Sequence, residues 1–159
     1  MSGRNVAELL RMFAVPASAE LTPQQRSGNV CIWCPQELLA GKGVSLGGVD
    51  TWHPHACPSC YDIQGRALVT YLDWNDHTVD CAICQTTPCD AAQTLRHANE
   101  HARERAGWRP IFCVDCESAV GVEAVQPHLW IGTASLVLDY VHAIPCPPPG
   151  TRIGSVEAY

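Results

Sequence analysis

With 159 residues the chain is long enough for one compact domain or a few very small ones, but 12 glycines, 12 prolines and an aromatic content of 7% leave only short apolar pieces. Small cores of that kind need staples such as metals or disulfides. Ten Lys+Arg stand against sixteen Asp+Glu, for a net charge of −6, which argues against wrapping a nucleic-acid backbone, and no apolar run is long enough for a membrane-spanning helix.

Residues 1–27 read as a helix and a polar linker. Val6, Leu9, Leu10 and Phe13 fall at i, i+3, i+4 and i+7, one apolar stripe of an amphipathic helix. Ala17-Ser18-Ala19 has the look of a signal-peptidase site, but Glu8 and Arg11 interrupt the apolar stretch that an export signal requires. The segment is therefore read as a docking helix and the chain as cytoplasmic. In a reducing compartment ten cysteines point to metal rather than to disulfides.

Residues 28–76 carry Cys31-Ile-Trp-Cys34, a gap of 22 residues, and Cys57-Pro-Ser-Cys60. Two Cys-x2-Cys turns at that separation are a zinc signature, because each turn aims two thiolates at one ion. Gly41, Gly43, Gly47 and Gly48 punctuate short β-prone pieces between the pairs and suggest a hairpin. Tyr61, Leu68 and Leu72 share one face of a helix expected over Tyr61–Trp74.

Residues 77–108 carry His77, Cys81, Cys84 and Cys89, then a helix. Thr87 is the expected cap, with Pro88 at the first helical position and Asp90 at the third. Ala91, Leu95, Ala98, Ala102 and Ala106 trace its expected apolar face. Three cysteines need a fourth ligand. His97 and His101 are the alternatives to His77, but a helix puts His97 ~12 Å from Cys89, so His77, placed in the approaching loop, is the preferred ligand.

Residues 109–147 hold Cys113-Val-Asp-Cys116, a gap of 25 residues, and His142-Ala-Ile-Pro-Cys146. Ala119–Val125, Leu129–Ile131 and Ser135–Val141 read as short strands. His128 competes with His142 and ranks second because it opens a strand. Pro147-Pro148-Pro149-Gly150 ends the ordered part, and 148–159 form a tail.

Ten cysteines with His77 and His142 make twelve ligands, or three tetrahedral sites with none left over. Zinc, about three per chain, is the expected cofactor. Four protein ligands per ion describe structural sites, since catalytic zinc keeps one position for water. The expected fold is a small α+β protein stabilised by metal, with short hairpins and two or three helices.

The knuckle, hairpin and second pair at a helix start over about residues 28–75 resemble the treble-clef zinc fold. The third unit resembles a zinc ribbon. Trp52-His53-Pro54 ahead of Cys57-Pro58-Ser59-Cys60, the His77-x3-Cys81-x2-Cys84 run and the lysine-poor composition also resemble small zinc-binding proteins of actinobacteria and their phages, a group with no assigned activity.

The expected function is a non-enzymatic structural or interaction module for a protein or nucleic-acid partner, with no membrane and no small-molecule substrate evident. Arg96, Arg103, Arg105 and Arg109 are the candidate contact residues, diluted by Glu100 and Glu104. The bland alternative is a solvated helix with weak ion pairs. The five tryptophans (Trp33, Trp52, Trp74, Trp108 and Trp130) serve either as interface anchors or as plugs of small cores. Treble clefs also occur in His-Asn-His nucleases, which would make His53 or His55 a base, but Tyr61–Trp74 lacks the Asn or His that would complete a catalytic metal site. A third reading is an iron–sulfur or thiol redox sensor using Cys81, Cys84 and Cys89.

Overall fold

The computed structural model describes residues 5–16, 18–39, 41–48, 52–108, 111–117, 125–131, 136–142 and 146. These form a small α+β arrangement in the order α1 (Val6–Phe13), a 3-10 turn (Ser18–Glu20), α2 (Pro23–Arg26), β1 (Val44–Ser45), β2 (His55–Ala56), α3 (Pro58–Asp80), α4 (Asp90–Ala106), β3 (Val125–Ile131) and β4 (Leu136–His142). Four α-helices thus stand among the described residues, where the sequence suggests two or three. The extra one, α2, is a single turn held by a capping box between Thr22 and Gln25.

The amphipathic stripe of α1 behaves as its spacing predicts. Leu10 is fully buried, and Val6 and Leu10 pack over Gly65 of α3. Trp33 Nε1 donates to Ala14 O at 2.8 Å, fixing the end of α1 against the first Cys-x2-Cys turn.

The hairpin between the first two cysteine pairs exists as a short antiparallel ladder, Val44↔Ala56 and Ser45↔His55. The helix that follows is longer than Tyr61–Trp74. It begins at Pro58, where proline loses no hydrogen bond, and runs 23 residues to Asp80, about 34 Å at 1.5 Å per residue. His77 therefore sits in the last turn of α3 rather than in a loop.

The second long helix returns antiparallel to α3, as Gln64 Nε2 donating to Ala106 O and Asn99 Nδ2 donating to Ala67 O require. Its cap is Cys89, whose sulfur accepts from Ala92 N, and not Thr87. The expected apolar face is met in part: Ala102 is buried and Leu95 packs against the core, but Ala91 and Ala98 are exposed, and Ala92 and Asn99 are buried in their place. The physical reason is Asn99. It is fully buried, its amide donates to Ala67 O and Thr70 Oγ1, and its Oδ1 accepts from Tyr140 O–H. A polar residue with every bond made packs inside as well as alanine does.

The second hairpin pairs β3 with β4 from Val125↔His142 to Ile131↔Leu136. The expected strand at Ala119–Val125 lies outside the described residues except for Val125, which opens β3. His128 lies inside β3 opposite Asp139 and does not open the strand. Tyr71 O–H donates to Asp139 O, Leu129 N to Asn75 Oδ1 and Gln126 Nε2 to Cys84 O, so the hairpin is tied to α3 and to the loop after it. The core runs along α3 through Leu68, Tyr71, Leu72 and Trp74, with Tyr140 edge-on to Tyr71.

Candidate metal centres

Three groups of four side chains converge: Cys31, Cys34, Cys57 and Cys60; His77, Cys81, Cys84 and Cys89; and Cys113, Cys116, His142 and Cys146. Within each group all potential ligand atoms lie within 4.8 Å of one another. All ten cysteines are free thiols, with no disulfide among them. These are the twelve residues that the sequence spacing singles out.

The first group is built on the core. Cys31 and Cys57 are buried, and the Cys57 amide donates to Cys31 Sγ at 3.2 Å. Cys57 caps α3, its sulfur accepting from Cys60 N. The Cys31–Cys34 turn is clamped by Ile32 N donating to His55 O and by Gln25 Nε2 donating to the carbonyls of Cys31 and Ile32.

The second group closes the α3–α4 helical hairpin. His77 comes from the last turn of α3, Cys81 caps its end, and Cys89 caps the start of α4. His77 Nε2 lies 3.1 Å from Cys89 Sγ, and Cys84 Sγ lies 3.6 Å from it. One helix thus carries donors of the first group at its start and donors of the second at its end.

The third group is held by the β3–β4 hairpin. Cys113 bridges to Tyr140, and Val114 N donates to Tyr140 O, which lays the turn against β4. Cys113 Sγ is 3.4 Å from Cys146 Sγ, and His142 Nδ1 is 3.3 Å from Cys146 Sγ and 3.7 Å from Cys116 Sγ.

These spacings fit a tetrahedral ion. Sulfur at about 2.3 Å from zinc gives tetrahedral S···S edges of roughly 3.8 Å, against 3.9 Å for Cys34–Cys57 and 3.6 Å for Cys84–Cys89. The protonation balance points the same way. Burial pushes the Cys31 thiol up, but amide N–H groups of Cys57, Trp33 and Cys34 outweigh it and bring its pKa below the ordinary value. In Cys113 burial is again outweighed, by the Cys116 and His142 amides, and the thiol falls to about 6. The Cys84 amide lowers Cys81.

Their neighbours move the other way. Burial raises Cys34, Cys60 and, to about 11, Cys84, and the hydrogen bond with Cys113 raises Cys146 to about 12. In each group one thiol is eased toward ionisation and another is held back from it. A divalent cation supplies the charge that lets the others ionise.

Other histidines stand apart. His55 is wedged beside Gly28, where a Cβ would come within 2.6 Å of its Nδ1, and that nitrogen lies 2.7 Å from His53 O. His53 is exposed. Neither joins a ligand group, and neither do His128, His97 and His101.

The arginines divide. Arg96 is mostly buried on α4 and its Nε donates to Glu100 Oε1 at 2.7 Å. Arg103 lies between the rings of Trp108 and Tyr140, and donates to Tyr140 Oη. Both are engaged by the fold, Arg96 through a carboxylate and Arg103 with its flat guanidinium over two aromatic rings. Arg105 is exposed and Arg109 lies outside the described residues. Among the tryptophans, Trp74 is a core plug, and Trp108 Nε1 donates to Gln64 Oε1. The side chain of Trp130 lies outside the described set. No pattern in the sequence signals the Asn99–Tyr140–Arg103 network.

Comparison with protein-family models, curated proteins and solved structures finds no match. The geometry of the three groups defines a metal-binding protein, and no helix among the described residues is long and apolar enough to cross a membrane.

Proposed function

We propose that the chain is a non-enzymatic zinc protein, with three structural ions of treble-clef and ribbon type, that acts by presenting a rigid surface to a protein partner in a reducing compartment such as the cytoplasm. The observation that carries this reading is the convergence of three complete sets of four Cys/His donors. Sets of thiolates with at most one imidazole favour zinc over calcium or magnesium. Four protein donors fill a tetrahedral ion and leave no position for a reacting water.

A protein partner is favoured over nucleic acid by charge. Ten thiolates against three divalent ions would add four negative charges to a chain already at −6. Arg96 and Arg103 are engaged internally. The exposed residues around the second and third turns carry no basic group: Val79, Asp80, Ile83, Gln85, Thr86 and Thr87 beside one, Phe112, Val114, Asp115 and Glu117 beside the other.

Elemental analysis of purified protein tests the metal. About three zinc per chain is the expected result; a brown preparation containing iron, or no metal with crosslinked sulfurs, would overturn it. A gel shift at moderate and high salt tests the partner class, since tight salt-sensitive binding would move the reading to nucleic acid. Divalent-metal-dependent cleavage lost in His53→Ala or His55→Ala would move it to a nuclease.

A further inference from the structure

Outside the three thiolate groups, α4 turns a second set of metal-binding side chains to solvent. His97 and His101 are four residues apart on a continuous helix, which sets their Cβ atoms roughly 5–6 Å apart on one face. That face lies away from the packed side formed by Ala92, Asn99 and Ala102. His97 has 77% of its side chain exposed, and His101 is also exposed.

Between them stands Glu100. One of its oxygens is fixed by Arg96, Nε to Oε1 at 2.7 Å, and the other lies 3.5 Å from His97 Nδ1. A carboxylate at Nδ1 favours the proton there and leaves the Nε2 lone pair facing outward, the arrangement that orients histidines toward metals. Two histidines one helical turn apart, with a glutamate between, form a spacing known to hold a zinc-type ion.

We propose that His97 and His101 form a fourth metal site, an exchangeable one, for a borderline divalent ion such as Zn²⁺ or Ni²⁺, with Glu100 positioning the His97 ring. Both side chains are exposed, so rotation can bring the two imidazoles to one ion. Imidazole donors select zinc, nickel and copper over calcium and magnesium. Two protein donors leave the other positions to water or to Glu104, which is exposed one turn onward. Such an ion comes and goes, in contrast to the closed thiolate sites. This site does not depend on the function proposed above.

The test uses the full, untagged chain with its resident metal retained. Zn²⁺ is titrated in a non-chelating buffer by calorimetry, with backbone amide shifts recorded in parallel. The expected result is one further ion bound at micromolar to sub-millimolar concentration, with shifts confined to the middle and end of α4. Losing an orienting partner costs roughly 10–100-fold in metal affinity, so Glu100→Gln weakens binding within that range and His97→Ala or His101→Ala weakens it more. The double His variant does not bind. Circular dichroism stays unchanged in the two single His variants, since both residues are exposed. No further ion at millimolar Zn²⁺, binding undiminished in the double variant, or shifts centred elsewhere would each overturn the proposal.

Discussion

The first and third ligand groups start from the same Cys-x2-Cys turn and end in different surroundings. In the first, Ile32 is buried, Trp33 is pinned to the end of α1, and Cys31 and Cys57 belong to the core. In the third, only Cys113 is buried, and the turn leaves Phe112 and Val114 about half exposed, at 48% and 46%. The first centre and the core are one object, whereas the third is held beside the core by the β3–β4 hairpin and the Tyr140 network. The same local turn thus stands in different surroundings, and the burial around it is expected to set how much each centre stabilises.

The largest expected effect comes from breaking the core-embedded centre. Cys57→Ala removes a donor that also caps α3 and whose amide bonds Cys31. A structural zinc site contributes on the order of 10 kcal/mol, comparable to the whole stability of a domain. The variant is expected to lose its cooperative thermal transition by circular dichroism; a variant that still melts cooperatively with only two zinc would mean that this centre is no more central than the third.

Cys116→Ala is the matching change in the peripheral centre. Zinc content is expected to fall by one while α3 and α4 stay protected, because their packing against each other does not pass through this site. Hydrogen exchange should accelerate over residues 111–117 and the β3–β4 hairpin, and not along α3 or α4. Equal acceleration along α3 would erase the distinction between the two regions.

A smaller effect is expected at the seam between them. Tyr140→Phe leaves Asn99 Oδ1 buried without the phenol and removes one acceptor of Arg103, a cost of about 1–3 kcal/mol readable by urea unfolding. The same residue gives a pH signature. Burial raises Tyr140 from 10.0 to about 12, with Arg103 opposing, so the folded chain holds the phenolic proton more tightly than the unfolded chain. Its contribution is full below pH 10 and is lost as pH rises through about 12. Tyr71 is raised in the same sense, also chiefly by burial. Stability measured across that alkaline window should therefore fall less steeply in Tyr140→Phe than in the parent chain.

The smallest effect is expected at the exposed apolar tips. Val114→Ser and Ile83→Ser should change stability by no more than about 0.5 kcal/mol, while weakening any protein partner that docks on the second and third turns. A large loss of stability in either would place that turn inside the core, as in the first centre.

Much of the candidate chemistry is legible in the sequence. The pairs Cys31/Cys34, Cys57/Cys60, Cys81/Cys84 and Cys113/Cys116 are local turns, and the stripe of α1 is a local periodicity. The pattern misleads where packing decides. Alanine spacing points to a face of α4 that includes Ala91 and Ala98, but the hydrogen-bonded Asn99 faces inward with Ala102 while Ala91 and Ala98 are exposed. Thr87 is the more usual kind of helix cap, yet Cys89, a weaker acceptor, holds that position, its sulfur accepting from Ala92 N. The i,i+4 spacing of Arg96 and Glu100 is legible on a helix, but nothing in the spacing reveals Trp108 and Tyr140 closing on Arg103.

Local spacing alone fixes which donors occur in pairs, since two residues between cysteines hold both sulfurs near one point whatever the rest of the chain does. Which pair meets which across gaps of 22 and 25 residues, and how deeply each meeting point is buried, is settled only by the assembled fold. That outcome depends on α3 running on to Asp80, α4 folding back along it and the hairpin closing over Tyr71 and Trp74. Those contacts join residues far apart in the chain, and no local spacing encodes them.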